Sequence, residues 1–294
     1  MNNAVIILNY NDYENTLELV NILNNYSSIN YIIIVDNCST NNSYEKMKSV
    51  ETEKIKVIKT EYNGGYAYGN NFGIRYAISN YNINYAIIAN PDARFDEDFI
   101  LKVNNEIINL NEKIGIIAPQ IDDKIDNCWK LPRFRNLLAC PFLALSKKFG
   151  NLRYKNDISD SSEDIKDVEV LSGSLFLIMI DAYNKIEGLD EETFLYFEEN
   201  ILAYKLKKLK YKNYLIKNIK FTHKSSTSID MTYKSKIKPY NIYIKSMYIY
   251  AKKYLKINKI KLFILNIFVC LGYIERYMYD FLFKIKFFLK KLTK

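Results

Sequence analysis

Along the first third of the chain, short β-branched runs alternate with segments whose apolar residues recur at helical spacing. Residues 4–8, 31–35 and 55–58 read as strands, and residues 15–25 and 41–50 as helices between them. A turn at Asn63-Gly64-Gly65, a helix over 68–79 and a wholly apolar strand over 85–89 continue the series. Such alternation predicts βαβ units and an α/β, Rossmann-like fold: a mainly parallel sheet with helices on both faces. In open sheets of this kind ligands collect at the carboxyl ends of the strands. The polar clusters fall there: Asn9-Tyr10-Asn11, Asp36-Asn37, Asn63-Gly64-Gly65 and Asn90-Pro91-Asp92 each follow a strand.

Periodicity fades over residues 122–167, where Pro132, Pro141 and mixed charge predict a long irregular segment. Order returns with a strand at 168–171, a turn at Ser172-Gly173-Ser174, an apolar run to residue 180, a helix over 198–209 and a strand near 214–216. Beyond about residue 240 the chain reads as helices rich in aromatics and lysine. We divide it into a catalytic or binding domain over 1–230 and a basic, helical, amphipathic segment over 231–294.

Charge sharpens that division. The 294 residues carry a net charge of +9, yet residues 1–233 hold 27 basic and 31 acidic side chains, and the remainder 15 basic and two acidic. A slightly acidic front domain excludes nucleic acid as its partner. Four scattered cysteines without a CxxC pair argue against a zinc site or a disulfide framework and suit a reducing cytosol. No secretory leader is read, and the longest apolar run, about 13 residues over 262–274, is shorter than the ~20 needed to span a bilayer. Near one helical stripe of this tail lie Arg276, Asp280, Lys284 and Lys291, with Leu, Ile and Phe around the rest. That pattern predicts an amphipathic helix lying on a membrane surface; a hairpin packed on the front domain or a homodimer interface is the alternative.

Five clusters have residue types suited to chemistry. Asp36 at a strand end can accept hydrogen bonds from a base or ribose, or cap the next helix. The glycines of Asn63-Gly64-Gly65-Tyr66-Ala67-Tyr68-Gly69-Asn70-Asn71-Phe72-Gly73 let backbone approach a diphosphate, or form a plain turn and a helix-packing face. Asp92 can hold a divalent cation that neutralises a diphosphate leaving group, or belong to an ordinary Asn-Pro-Asp turn. Glu198 and Glu199 open a helix beside aromatics; desolvation there raises a carboxyl toward the range of a general base, while the helix dipole alone also favours acids at that end. His223, the single histidine, is the one imidazole available to a metal, or a surface residue.

In their order and spacing these clusters resemble the inverting family 2 glycosyltransferases of GT-A fold, specifically the rhamnosyltransferase-like branch that builds bacterial surface polysaccharides. The resemblance covers residues 4–228. It rests on I-I-L-N-Y-N from Ile6, V-D-N-C-S from Val35, N-G-G-Y-A-Y-G-N-N-F-G from Asn63, N-P-D from Asn90, G-L-D-E-E-T-F-L-Y-F-E-E from Gly188, and His223 with Ser228. It implies that Asn9, Asp36, Asn63 and Asn70 line the nucleoside and diphosphate site of a nucleotide-diphosphate sugar, that Asp92 and His223 hold Mg²⁺ or Mn²⁺, and that Glu199 deprotonates the acceptor; Tyr10, Asn11, Gly65, Asn90 and Asp92, in the same clusters, are assigned to the donor as well. Trp129, Arg133, Gly173 and Glu198 are assigned to the acceptor. A lipid-linked glycan as that acceptor would bring the protein to the inner face of the cell membrane. Three departures stand out: Asn90 replaces the first acid of the usual D-x-D, Glu199 replaces Asp, and the glycine often found before the serine after His223 is missing. Two competing classes are a sugar nucleotidyltransferase, whose Gly-rich, lysine-bearing N-terminal loop is absent at residues 8–11, and a non-catalytic subunit of a membrane-bound glycan assembly complex.

Overall fold

The computed structural model describes residues 1–107, 112–122, 127–143, 163–223 and 237–292. β1 (Asn3–Asn9), α1 (Tyr13–Asn24), β2 (Tyr31–Asp36), α2 (Ser43–Lys48), β3 (Ile55–Lys59), α3 (Gly65–Asn80) and β4 (Tyr85–Ala89) follow the expected alternation. β5 (Ala93–Phe95), α4 (Asp98–Ile107), β6 (Ile114–Ile121), β7 (Cys128–Trp129) and the single turn α5 (Phe134–Leu137) come next. β8 (Ile165–Val168), β9 (Val170–Leu171), β10 (Leu175–Met179), α6 (Ile180–Lys185), α7 (Glu198–Lys208) and β11 (Lys212–His223) complete the front domain. The tail forms α8 (Ile237–Ile249), a π-helical turn (Tyr250–Tyr254) and α9 (Lys259–Leu292).

The main sheet runs β3-β2-β1-β4-β10-β6-β11-β5, with β8 pairing on β11. β1, β2, β3 and β4 are parallel, as are β6 and β11, whereas β10 lies antiparallel between β4 and β6. Covered on both faces, the central strands need apolar residues at nearly every position, which is why β4 is buried throughout. Two apolar clusters fill the two faces of the sheet. One gathers Val5, Ile7, Leu19, Leu23 and Phe99, and the other Ile6, Val35, Ile74, Phe176 and Leu202. On the second face α3 comes unusually close. A Cβ on Gly69 would stand 2.2 Å from Leu8 Cδ1, and one on Gly73 2.6 Å from Ile6 Cγ2, so these two glycines serve helix–sheet packing.

Several boundaries differ from the sequence expectation. α3 starts at Gly65, three residues early, because Gly65 occupies a left-handed conformation (φ +86°) that turns the chain straight into the helix. The strand expected over 168–171 is split at Glu169, whose carboxylate accepts the Leu131 N–H (2.7 Å) and pairs with Lys207. β11 runs well past residue 216, to His223, by adding a pairing with β5. Within the irregular middle region, the described residues include β7, which pairs with β9, and α5.

A third apolar cluster joins the tail to α7 and α5: Phe197 and Ile201 pack with Tyr240, Met247 and Tyr250, and Leu137 with Leu265 and Val269. One face of α9 is thereby occupied. Gly272 lies against Pro141 and Tyr240, and the Leu143 N–H donates to Glu275 (2.8 Å). Arg276, read as part of an outward polar stripe, instead stacks its guanidinium 4.6 Å over the Tyr240 ring, a cation–π contact that turns it toward the protein. The side chains of Lys284 and Lys291 lie outside the described residues. The opposite face exposes Ile260, Phe263, Ile267, Leu271, Ile274 and Met278. Among the described residues no helix is long and apolar enough to cross a membrane.

Candidate active site

The parallel order β2-β1-β4 brings three of the predicted clusters to one edge of the sheet. Asn9 and Asp36 lie side by side in register there. The Asn9 amide donates to Asp36 Oδ1 (3.1 Å), and the Ser39 N–H to Asp36 Oδ2 (3.1 Å). Asn9 in turn accepts from the Thr16 hydroxyl (2.9 Å). Both Asn9 and Asp36 are wholly buried, and so is Asn70, whose amide donates to Tyr66 O (3.0 Å). Asn9 and Asp36 brace the loops after β1 and β2, whereas the Asn70 bond stays within α3 and leaves its buried Oδ1 without a partner among the described residues. Tyr10, Asn11, Asn63 and Asn90 reach the surface. Asn11 takes a positive φ of 59°, and its carboxamide oxygen accepts the Thr40 N–H (2.8 Å), tying the β1 and β2 loops together. Asn63 accepts from both Asn37 (2.9 Å) and the Gly65 N–H (3.1 Å).

Beside them, the loop after β4 folds back along the sheet. The Asn90 N–H donates to Ser174 O (2.9 Å) and the Ala93 N–H to Asn90 O (3.0 Å), so Asp92 ends the turn immediately before β5, the partner of the end of β11. This pairing across the sheet edge sets His223 Nε2 3.2 Å from Asp92 Oδ1. Asp92 is buried and His223 half-buried. Two ligands about 2.1 Å from an octahedral cation and adjacent on it stand roughly 3 Å apart, so this carboxylate–imidazole pair fits a divalent ion that takes its remaining ligands from phosphate and water. Among the described residues no group of three or more His, Cys, Asp or Glu side chains is gathered to hold a metal alone. Ser228 and the rest of the loop after His223 lie outside the described residues.

The acidic pair is brought to the same edge by contacts that sequence reading did not single out. The Tyr66 N–H donates to Phe194 O (2.9 Å), and the Tyr66 hydroxyl to Gly173 O (2.5 Å). Asn71 uses all four of its hydrogen-bonding positions: its amide donates to Leu189 O (2.9 Å) and Glu191 (2.8 Å), and its oxygen accepts from Leu189 N (3.0 Å) and Tyr183 (3.1 Å). The start of α3 is thereby bound to the loop that leads into α7. That loop carries two left-handed residues, Tyr196 (φ 71°) and Phe197 (φ 66°), immediately before Glu198. Strain of this kind persists only where surroundings over-determine it, and it is concentrated at functional sites.

Glu199 is half-buried and accepts the Gly173 N–H (3.3 Å); Glu198 points inward, and its Oε2 has no hydrogen-bond partner among the described residues. Burial raises the pKa of both carboxyls, and that of Glu198, which also feels the charge of Glu199, stands well above the ordinary glutamate range. Tyr66 is raised as well, chiefly by burial and then by the two glutamates. Trp129 and Arg133 are placed apart from each other. The Trp129 indole N–H donates to Asn200 (2.8 Å), next to Glu199, whereas Arg133 is exposed on the rim of a separate cavity. Asn71 and Tyr66 sit inside a motif whose glycines drew attention; their partners lie more than a hundred positions away, beyond any local signal.

Comparison with known proteins places the chain in a family and a fold. Residues 4–171 match the family model for Glycosyl transferase family 2. The low-salt glycan biosynthesis hexosyltransferase Agl10 of Haloferax volcanii is 26% identical over 205 residues, covering 70% of this chain and 61% of its own length. The chain thus spans less than two thirds of that curated relative. GalNAc-T7 with UDP, GalNAc and Mn²⁺ superposes with a TM-score of 0.57 (13% identity, 76% of this chain and 44% of that one). S. aureus TarS 1-349 with UDP-GlcNAc gives 0.54 (13%, 82% and 64%), and the mannosyltransferase PcManGT of Pyrobaculum calidifontis with GDP-Man and Mn²⁺ gives 0.52 (14%, 77% and 58%). These likenesses are of fold, a GT-A-type α/β sheet.

Proposed function

Because the chain belongs to glycosyl transferase family 2, we propose that it is an inverting transferase that moves a hexose, rhamnose in the branch it resembles, from a nucleotide-diphosphate donor to a lipid-linked or growing surface polysaccharide. The observation that carries this reading is the gathering of the Asp92–His223 pair (3.2 Å) and of Glu199, held on Gly173, at one edge of the sheet beside the Asn9–Asp36 loops. A hexosyltransferase relative in glycan biosynthesis and neighbours holding UDP-GlcNAc or GDP-Man support the donor class.

Tyr10, Asn11, Asn63 and Asn90 then contact the donor, on loops held by the buried Asn9 and Asp36. Gly65 keeps the start of α3 open to the diphosphate, since any side chain there would collide with Phe194 O. Asp92 and His223 hold Mg²⁺ or Mn²⁺, a choice supported by the Mn²⁺ in two structural neighbours. When bound, the cation neutralises the charge on the departing nucleoside diphosphate. With Asn90 where an acid is usual, the donor set is one carboxylate and one imidazole. Glu199 takes the proton of the acceptor hydroxyl as its oxygen attacks the anomeric carbon from the face opposite the leaving group, through an oxocarbenium-like transition state. A raised pKa brings a carboxylate closer to the basicity this step needs. Gly173 and Glu198 back the base, and Trp129 faces the acceptor.

The test is release of nucleoside diphosphate from a panel of sugar nucleotides, with Mn²⁺, Mg²⁺ or a chelator. Asp92→Ala and His223→Ala are each expected to lower turnover on the order of 10²–10³-fold and to blunt the response to metal. Full activity in both variants would remove these residues from the reading. We also place the protein at the cytoplasmic face of the membrane through the exposed apolar face of α9, although a second copy would cover the same face. Flotation with anionic vesicles, lost in Phe263→Ser/Ile274→Ser, is the expected result; a stable dimer that ignores vesicles would replace this placement.

A further inference from the structure

A cavity of about 550 Å³ opens between the end of β7, α5, the second half of α7 and the π-helical turn. Its floor is aromatic and apolar: Tyr204, Tyr250 and Leu255, with the Tyr250 hydroxyl tied to Pro132 O (3.0 Å). Its rim carries Lys130, Arg133, Arg135, Lys207 and Lys208 against one acid, Glu169. That acid is already engaged, by Lys207 and by the Leu131 N–H (2.7 Å). Arg133, Arg135 and Lys208 form no ion pair with any described residue.

Such a concentration of positive charge is out of keeping with its surroundings, since residues 1–233 carry more acids than bases. The residue types are also informative. Lysine dominates the cations of this chain, which has six arginines in all, and two of the six stand on this rim. A guanidinium offers a planar fork of donors that matches phosphate oxygens two at a time; an ammonium is a point charge. Like charges gathered without counter-charges among the described residues repel one another, so a multiply charged anion is the ligand that relieves the arrangement.

The location narrows the ligand further. Trp129 directly precedes Lys130 of the rim and donates its indole N–H to Asn200, the neighbour of Glu199, which links this cavity to the start of α7. From Glu199 to Lys207 the helix rises roughly 12 Å at ~1.5 Å per residue. That distance leaves room for a sugar presenting its hydroxyl to Glu199 while a charged group attached to it rests on the rim. We propose that this cavity binds the phosphate or diphosphate linkage of the acceptor, with Arg133, Arg135 and Lys208 on the phosphate oxygens and the Tyr250–Leu255 floor under whatever apolar chain follows. The inference rests on the transfer reading above.

Trp129 is the only tryptophan of the chain, so its emission, excited at wavelengths that the 26 tyrosines do not absorb, reports on this region alone. Inorganic pyrophosphate, added to the full-length protein without divalent cation, is expected to change that fluorescence saturably. Arg135→Gln/Lys208→Gln, two exposed positions, should weaken the apparent Kd at least tenfold with an unchanged circular dichroism spectrum, while Asp92→Ala binds pyrophosphate like the wild type. No saturable change, or a loss in Asp92→Ala without one in the rim variant, overturns the site. A diphosphate bearing a short prenyl chain should bind tighter than pyrophosphate; equal affinity overturns the acceptor assignment in favour of a soluble anion. Donor turnover in the same preparations separates the two readings, because absent turnover with intact pyrophosphate binding defeats the transfer reading and leaves the anion site standing.

Discussion

Glu199→Gln is expected to lower kcat by roughly 10²–10⁴-fold, the usual contribution of a positioned general base, while donor affinity changes no more than a few-fold. The substitution keeps the shape of the side chain and the acceptor oxygen for the Gly173 N–H (3.3 Å), so the loop geometry survives and the proton-accepting function is lost. Steady-state turnover together with nucleotide binding by calorimetry separates these effects; an equal loss in both would make Glu199 a structural residue. The pH profile adds an independent reading. A base must be ionised to work, so kcat/KM should rise with pH through a midpoint above the ordinary glutamate range, since burial raises the Glu199 carboxyl. Glu198 is raised further than Glu199 and is still protonated and uncharged where the limb rises, so Glu198→Gln should leave the limb in place. A limb that moves or disappears in Glu198→Gln would mean that it reports Glu198.

Gly65→Ala should be the most damaging change of a single methyl group. Gly65 has φ +86°, and a Cβ built on it would lie 2.0 Å from the Phe194 carbonyl oxygen and 2.7 Å from the Phe194 carbonyl carbon. All of these neighbours are backbone, so no side chain can swing aside. Relief requires breaking the Tyr66 N–H to Phe194 O bond (2.9 Å) and moving the strained loop of Tyr196 and Phe197 that aims Glu198 and Glu199. We expect a loss of more than about 2 kcal/mol of stability, a fall in thermal midpoint of roughly 2–4 °C for each kcal/mol, and a large loss of turnover in the surviving folded fraction. Thermal unfolding and turnover with unchanged values would show that α3 and the Phe194 loop do not approach as closely as described.

Much of the architecture was legible before folding was considered. The runs over 4–8, 31–35 and 85–89 declare buried strands because a parallel sheet covered on both faces demands apolar residues at nearly every position. The polar clusters after them mark the ligand edge because successive βα turns of a parallel sheet all emerge at the same side. Family membership was legible for the same reason, since its motifs are short and sit at those turns. The glycines of residues 63–73 were ambiguous from sequence because one residue type answers two needs. Gly65 supplies a left-handed turn, while Gly69 and Gly73 let α3 lie close on Leu8 and Ile6.

Other features needed the folded chain, because they depend on pairs of residues far apart in sequence and on which side of a helix faces inward. Asp92 and His223 meet only through the antiparallel pairing of β5 with β11, and Glu199 reaches the site only because Tyr66 and Asn71 hold the loop before α7. The burial of Asn9, Asp36 and Asn70 belongs to the same class: sequence marks them as polar in the right clusters, and packing alone encloses them. Arg276 looked like an outward charge until α9 found Tyr240, and Arg133 acquired its cationic neighbours only when α7 was laid beside α5. Local pattern determines which elements form and where their turns are polar, since those depend on near neighbours; which groups share a site is decided by sheet order and helix packing, which join residues that the chain itself keeps apart.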